Sequence, residues 1–477
     1  MNARRSWPVL APFAVFALLA GWVVLSVANA QEVGFSVFVL AVANLIVYTD
    51  ALDFVLRLYM HRRHTAAHGG IVERGQNEQL SINLDALLPP SSLRGVPLVP
   101  FAIIASIYNL EDQVDEFMAT FAPHRERIWL ISDGSTDNTV MRLRQAGWRC
   151  IDESVNRRKP GALRRLLAAI PQHIGIVMVI DPDIRIRGIH EGSSIDIEGF
   201  VGDFQESGAA AACPRLMIEP DGFLARFQAF EYALAFRVGR ESMGDFGITS
   251  GVSFYRRSAL QRALEIHSLS VYAEDFENAL VLLGMGETIY YDGRLVVSTE
   301  GPGSLKRWFS QRVGWYHGLV KVYTERIPEI LRISRRSPFA AYHYIVYIGV
   351  LSLGLHLVKI ISGLLLVSSF LAGLAAIFDD VMPPTALIHP AYFTAAVSSY
   401  LALGVIVLFT RVPAAERGYI APIVPLYLCY AVTHIVPMTV GFANFFALKL
   451  WGRRIYQDHY ESPAVPDIVP DLFEGYE

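Results

Sequence analysis

No charged side chain occurs from Trp7 to Ala30, and this run, with similar ones near the far end of the chain, limits the fold more than any other feature. A helix of that length reaches about 36 Å, enough for the roughly 30 Å hydrocarbon core of a bilayer. A second, mostly apolar stretch from Val33 to Met60 follows after only Gln31 and Glu32, so residues 1–64 read as a transmembrane hairpin. A secretory signal peptide, with Arg4, Arg5, Ala28 and Ala30 as its flanks, is the competing reading of the first run. Arg4-Arg5 before the hairpin and His61-Arg62-Arg63-His64 after it put both flanks on the cytoplasmic side. Asp50, Asp53 and Arg57, in the last turns of the second run, are expected to snorkel to the interface.

Apolar character returns after residue 340. From Ala341 to Phe378 the one charge is Lys359, and this stretch is too long for a single straight span, which predicts an interfacial piece leading into a span. Asp379, Asp380 and the Pro-containing stretch Met382–Pro390 predict an outer loop, and Ala391–Thr410 a clean span. Tyr419–Leu448 carries Pro422, Pro425 and Pro437, and either crosses once or bends back, so the count stays at five or six spans. An acidic, Pro-containing tail occupies 455–477 and is expected to be flexible. The layout is that of a multi-pass protein of the cell (inner or plasma) membrane, in contact with membrane lipids.

Between these ends, residues 65–302 have the composition of a globular domain, bracketed by cytoplasmic flanks and therefore expected in the cytosol. A near-balanced 41 basic and 45 acidic residues exclude a nucleic-acid binder. Cys150, Cys213 and Cys429 lie too far apart for a CxxC pair. Val99–Ile107, Ile128–Ser132, Arg149–Asp152, Ile174–Ile180 and Ala209–Met217 read as strands, and Thr136–Ala146, Gly161–Ile170 and Phe223–Arg240 as helices. That alternation predicts an α/β domain with a largely parallel, doubly wound, Rossmann-like sheet, which binds ligands at the carboxyl ends of its strands.

Four strings place polar residues at such ends. Ser132-Asp133-Gly134-Ser135-Thr136-Asp137 is a strand end, a tight turn and a helix start; Asp137 or Ser135 can serve as N-cap, whereas Asp133 sits at the ligand edge. Asp181-Pro182-Asp183 sets two carboxylates after a buried strand, where their repulsion calls for a cation, and oxygen ligands favour Mg2+ or Mn2+. Glu274-Asp275 opens an apolar helix, either as helix-dipole partners or as a general base. In 303–340, Leu305, Trp308, Phe309, Trp315, Tyr316, Leu319, Val320 and Tyr323 recur at helical spacing beside Lys306, Arg307, Arg312 and Lys321, an interfacial amphipathic pattern.

Taken in order, with Asn156-Arg157-Arg158-Lys159 and Gln311-Arg312-Val313-Gly314-Trp315, these strings resemble membrane-bound glycosyltransferase family 2. The likeness is to the processive polysaccharide synthases of the cellulose, hyaluronan, chitin and poly-N-acetylglucosamine type. The resemblance spans roughly Pro100 to Tyr323. It implies a glycosyltransferase A-type domain inserted between transmembrane helices. It also implies a nucleotide site at Asp133, Lys159 and Asp181, a metal site at Asp183 with Asp181, and Asp275 as the base. The acceptor would meet Glu274, Gln311, Trp315 and, more loosely, Ser250 and Gly251. The family's arginine before the tryptophan, a pyrophosphate contact, is Gly314 here, so Arg307, which shares its helix face, Arg312 or Lys306 would have to replace it. The family's Asn-Glu after the first strand reads Asn109-Leu110-Glu111, shifting or removing that nucleotide contact.

The expected reaction is inverting β-transfer from a UDP-sugar, UDP-glucose or UDP-N-acetylglucosamine, to a growing glycan that is then extruded. A non-processive glycolipid synthase of the ceramide-glucosyltransferase kind, with a lipid acceptor, is the alternative. A degenerate, non-catalytic homologue is a further one.

Overall fold

The computed structural model describes residues 52–60, 98–188, 191–268, 272–379 and 391–456. The expected first span, the competing signal peptide, the 382–390 loop and the tail beyond 456 lie outside the described residues.

Eight strands form one sheet: β1 Phe101–Ile107, β2 Ile128–Asp133, β3 Cys150–Glu153, β4 Ile176–Val179, β5 Ile184–Ile186, β6 Ala211–Glu219, β7 Ser253–Arg256 and β8 Ile289–Glu300. Their order is β3-β2-β1-β4-β7-β6-β8-β5. β3, β2, β1 and β4 run parallel, as do β6 and β8, while β7 is antiparallel to both neighbours and β5 to β8. The sheet is therefore mixed, mostly parallel, and carries three strands beyond the five expected. β5 and β7 are only three and four residues long, too short to show a period of two in sequence.

The described helices are α1 (52–60), α2 Val114–Phe121, α3 Thr139–Gln145, α4 Arg158–Ala169, α5 Ile197–Ser207, α6 Gly222–Leu234, α7 Arg257–Glu265 and α8 Glu274–Gly284. They continue with α9 Leu305–Glu325, α10 Ile327–Ser334, α11 His356–Asp379, α12 Ala391–Thr410, α13 Ala414–Ile420, α14 Tyr427–Thr433 and α15 Ile435–Trp451. Alternation along β1 builds the core. Ala102 and Ile104 pack with Leu163, Leu166 and Leu167 of α4 and Leu280 of α8, whereas Ile103 and Ala105 pack with Phe117 and Phe121 of α2 and Phe200 and Phe204 of α5. A strand covered on both faces must be apolar at every position, which is why the run reads as continuous. Removing a ring such as Phe200 from this core costs about 3–5 kcal/mol.

The stretch expected as one helix from Phe223 to Arg240 changes pitch after Leu234 into a π-helical turn over Ala235–Gly239. A second π-helical segment, Tyr342–Gly354, breaks at Leu355 before α11, so the long apolar run after residue 340 is divided as its length demands. Among the described residues, His356–Ala375 and Ala414–Trp451 are long and apolar enough to cross a membrane. The latter is interrupted by a 3-10 turn over Ala421–Leu426 that contains Pro425.

Asp53 and Arg57 do not snorkel. Arg57 is 4% exposed, pairs with Asp53 at 2.7 Å, and donates to Ser242 Oγ at 3.2 Å and to the Gly239 carbonyl at 3.4 Å. Its guanidinium also meets His343 Nδ1 at 3.0 Å, and the Tyr342 hydroxyl donates to Asp53. A charge this deep needs partners, and two π-helical segments supply them. Arg215 of β6 forms a second buried pair, with Glu416 of α13 at 2.6 Å, fastening the sheet to the apolar helices.

Candidate active site

The carboxyl ends of β1, β2 and β4 gather the first polar strings. β2 ends in buried Asp133, whose Oδ1 accepts from the Arg157 main-chain N–H at 2.6 Å. Gly134 follows with φ +76°, and a Cβ there would lie 2.8 Å from Asn156 N, so only glycine allows the turn to close on that loop. Asp137 accepts from Thr139 N and Glu111 N from one position ahead of the N-cap, which is Asn138 and not Asp137 or Ser135. Asn109 Oδ1 accepts from Thr136 N, and the Glu111 carboxylate takes the Asn138 N–H and amide. Asn109 and Glu111 thus fasten the turn after β2 instead of reaching into the site.

One cation then joins three strings that are far apart in sequence. Lys159 Nζ, in the first turn of α4, donates to Asp181 Oδ1 at 2.6 Å and to Glu274 Oε1 at 2.8 Å. A Cβ on Gly251 would overlap Asp181 Oδ2, so the backbone after Thr249-Ser250 lies directly against the Asp-Pro-Asp turn. Thr249 Oγ1 donates to the Asp275 carbonyl at 2.6 Å, and Arg240 donates to the Thr249 carbonyl at 2.8 Å and to the Ile248 carbonyl. Asp183 is exposed and accepts from Thr299 Oγ1 of β8 at 2.8 Å. Asp275 opens α8, its Oδ1 accepting from Phe276 N at 2.8 Å. The preceding Ala273 has φ +58°, a left-handed conformation unfavourable for a residue with a Cβ.

Burial shifts these groups. It pushes Asp133 up to about 6, against the N–H groups of Arg157 and Arg158. It pushes Asp181 up to about 6 as well, against the charge of Lys159 and with that of Asp183 and Glu274. Asp181 keeps 36% of its side chain exposed, so water screens part of that effect. Burial, then the charge of Glu274, lifts Asp275 to about 6, opposed by Arg240 and Lys159. Burial acts against the charge on Lys159 too, but Asp181 and Glu274 outweigh it and hold the ammonium well above its usual range. Glu274 is likewise buried, yet Lys159 brings it below the ordinary carboxylate range. Two adjacent carboxylates shifted in opposite directions, one salt-bridged and one ready to take a proton near neutrality, is an arrangement suited to general-base chemistry.

Other expected residues fall differently. The Ser250 hydroxyl donates to the Val252 carbonyl and meets Cys213 Sγ at 3.2 Å, so it is spent inside the fold and not on an acceptor. Arg312 is 2% exposed, pairs with Glu231 at 2.7 Å and lies 4.1 Å over the Trp315 ring. The charge of Arg312 is answered by Glu231 within a cluster of tyrosines, one of which, Tyr232, feels both Arg312 and Asp183. Arg307 is exposed in the first turn of α9, where its N–H is capped by Ser304. Gln311 is half-buried, and Trp315 is 38% exposed. Gly314 is covered by Tyr272, whose ring would lie 2.5 Å from a Cβ there. Arg240, Thr299, Glu231 and Tyr272 carry no signal in the linear sequence; only the Gly314–Gly318 spacing, small residues one turn apart, hints at a close contact.

Residues 197–433 match the family model described as glycosyl transferase family group 2. The match takes in Glu274, Asp275 and the Gln311–Trp315 string, and supports a glycosyltransferase of family 2. No curated protein matches the chain. A mannosyltransferase from Pyrobaculum calidifontis, solved with GDP-mannose and Mn2+, is 15% identical, covers 83% of this chain and 99% of its own, and superposes with a TM-score of 0.46. Glucosyl-3-phosphoglycerate synthase from Mycobacterium tuberculosis, solved with Mn2+, UDP-glucose and phosphoglyceric acid, is 16% identical over 49% of this chain and 82% of its own, with a TM-score of 0.30. The same enzyme with Mg2+ and UDP gives 16% identity, 49% and 81% coverage and a TM-score of 0.31. The matched stretch begins at α5, so the Asp133 and Asp181–Asp183 turns lie ahead of it, and Asp181 is joined to Glu274 within it through Lys159.

Proposed function

We propose that this protein is a membrane-embedded, inverting glycosyltransferase of family 2 with an A-type catalytic domain, which transfers from a UDP-sugar to elongate and extrude a polysaccharide. The observation that carries the reading is the Lys159 junction. One ammonium holds Asp181 and Glu274 within 2.8 Å, bringing one strand-end carboxylate and one member of the α8 pair together.

A divalent cation, Mg2+ or Mn2+, fits at Asp183 with Asp181. Asp183 is exposed and Asp181 is partly open, with Lys159 on its Oδ1 and the side-chain-free Gly251 admitting its Oδ2. Among the described residues no three His, Cys, Asp or Glu side chains converge, so two carboxylates would hold the ion and diphosphate oxygens and water complete its shell. When bound, the metal neutralises charge accumulating on the leaving diphosphate.

The chain's own residues do the rest. Asp133 lies where β2 ends and can receive the nucleoside, and Lys159 supplies fixed positive charge beside Asp181. Asp275, held near 6 by burial and by Glu274, takes the acceptor hydroxyl proton. The acceptor oxygen then bonds to the anomeric carbon as its bond to the diphosphate oxygen breaks, and UDP leaves. One displacement inverts the anomeric centre. Trp315 is partly exposed and offers the indole surface that Arg312, stacked over one face of the ring, leaves uncovered for the acceptor sugar.

The test is incubation of membrane vesicles with labelled UDP-glucose, UDP-N-acetylglucosamine and GDP-mannose, followed by sizing of the product. A long polymer from a UDP-sugar supports the reading. A single sugar on lipid would replace it with glycolipid synthesis, and transfer from none of the three donors would overturn it.

A further inference from the structure

α9 carries Gly314 and Gly318 one turn apart, and together they form a groove filled by a single residue. A Cβ on Gly314 would sit 2.5 Å from Tyr272 Cε1 and 2.8 Å from Cζ, while one on Gly318 would sit 2.7 Å from Tyr272 Cβ and 2.8 Å from its carbonyl carbon and oxygen. The glycines therefore admit both the ring and the main chain of Tyr272, which is 8% exposed. Tyr272 is followed directly by left-handed Ala273, then by Glu274 and Asp275.

Both partners of this contact are fixed from behind. On α9, a Cβ at Gly441 of α15 would come 2.9 Å from Val313 O, Tyr316 Cβ and His317 N, so α15 lies tight against the helix. On α8, the Glu277 carboxylate takes Arg326 Nε at 3.0 Å, Ser268 N at 2.8 Å and Ser268 Oγ at 2.6 Å. Arg326 directly follows α9, so the two helices are tied again at that end.

We propose that Tyr272 is a positioning residue for transfer, lodging in the Gly314–Gly318 groove to hold the left-handed turn that aims Asp275 at the acceptor. This rests on Asp275 being the base. A left-handed alanine reverts to a right-handed or extended conformation when nothing holds it. The groove holds it through Tyr272, with Thr249 Oγ1 on the Asp275 carbonyl as a second restraint. A displacement of about 1 Å at a base costs about 10²-fold in rate without requiring any loss of donor binding.

The experiment uses the full chain in detergent, with UDP release from UDP-glucose and from UDP-N-acetylglucosamine, and thermal unfolding, as readouts. Tyr272→Ala should lower kcat by about 10- to 100-fold while leaving the donor KM within about threefold. Tyr272→Phe, which keeps the ring, should restore kcat to within about threefold of wild type. Gly314→Ala should lower kcat much as Tyr272→Ala does, because its methyl expels the ring, and the double variant should be no worse than either single one. Unchanged kcat in Tyr272→Ala, a proportional loss through KM, or additive losses in the double variant would overturn the proposal. Unfolding reads the groove independently of turnover: Gly314→Ala should lower the melting temperature in the wild type and not in the Tyr272→Ala background. Equal lowering in both backgrounds overturns the groove. Lack of UDP release by the wild type, with the unfolding result as expected, would instead overturn the functional reading.

Discussion

Asp275→Asn should make the protein more stable and catalytically silent at once. Burial and the neighbouring charge of Glu274 lift this carboxyl from 3.8 to about 6, so its ionised form is disfavoured in the fold. A shift of about two units corresponds to about 3 kcal/mol. Asparagine keeps an oxygen to accept from Phe276 N and leaves the Asp275 carbonyl to Thr249, so it removes the charge and little else. Above the folded-state value near 6 the wild type carries the whole penalty. As the pH falls through 6 toward 3.8 the carboxyl protonates in the fold and the penalty disappears. At pH near 7.5 the variant should therefore gain about 1–3 kcal/mol, an upward shift of roughly 1–6 °C in unfolding followed by tryptophan fluorescence. The two melting curves should converge near pH 4. Sugar transfer should fall by about 10²- to 10⁴-fold with UDP binding retained. An equal or lower melting temperature at pH 7.5, or near-normal turnover, would refute the reasoning: Asp275 would then be only part of a helix start.

Asp183→Asn should weaken Mn2+-dependent UDP binding measured by calorimetry, and a chelator should stop wild-type transfer, since Asp183 is the more open of the two strand-end carboxylates. Arg312→Ala should lower stability by about 2–4 kcal/mol in thermal unfolding, because it strips Glu231 of its buried partner and Trp315 of its stacked guanidinium. Arg307→Ala, at an exposed position, should leave unfolding within about 0.5 kcal/mol of wild type and lower turnover, as its assignment to the diphosphate requires. Trp315→Ala should shorten the product on a sizing column more than it weakens UDP affinity; the reverse pattern would put the indole on the donor side.

The parts of the fold that sequence shows are those with one repeated demand. β1, β2 and β4 are covered on both faces or nearly so, and each appears as an apolar run of strand length; β6 is covered as well, although Pro214 and Arg215 interrupt its run. α12 occupies the same bounds as the uncharged run from Ala391 to Thr410. The strands that escaped are short or, like β8, carry Tyr, Asp and Arg among their apolar residues because part of the strand is only half-covered. Asp53 and Arg57 mislead for a different reason. A charge late in an apolar helix looks the same in sequence whether it reaches water or a partner, and its partners Ser242 and His343 lie 185 and 286 residues away.

The string around Gly314 shows where reasoning from helix rotation stops. Rotation correctly separates Arg312 from Gly314 by about 200°, and so puts the two on different sides of α9. It cannot say what lies opposite each. Arg312 meets Glu231 of α6, a carboxylate that only the packed bundle brings near, and this answers its charge without any diphosphate. Gly314 meets Tyr272, so the missing side chain is replaced by a ring from the turn that carries Glu274 and Asp275. A glycine that reads as a lost cation along the chain thus becomes, in three dimensions, the reason that turn can approach α9. The same contact bars the simplest repair, because an arginine at 314 would have to displace Tyr272 before its guanidinium could reach anything.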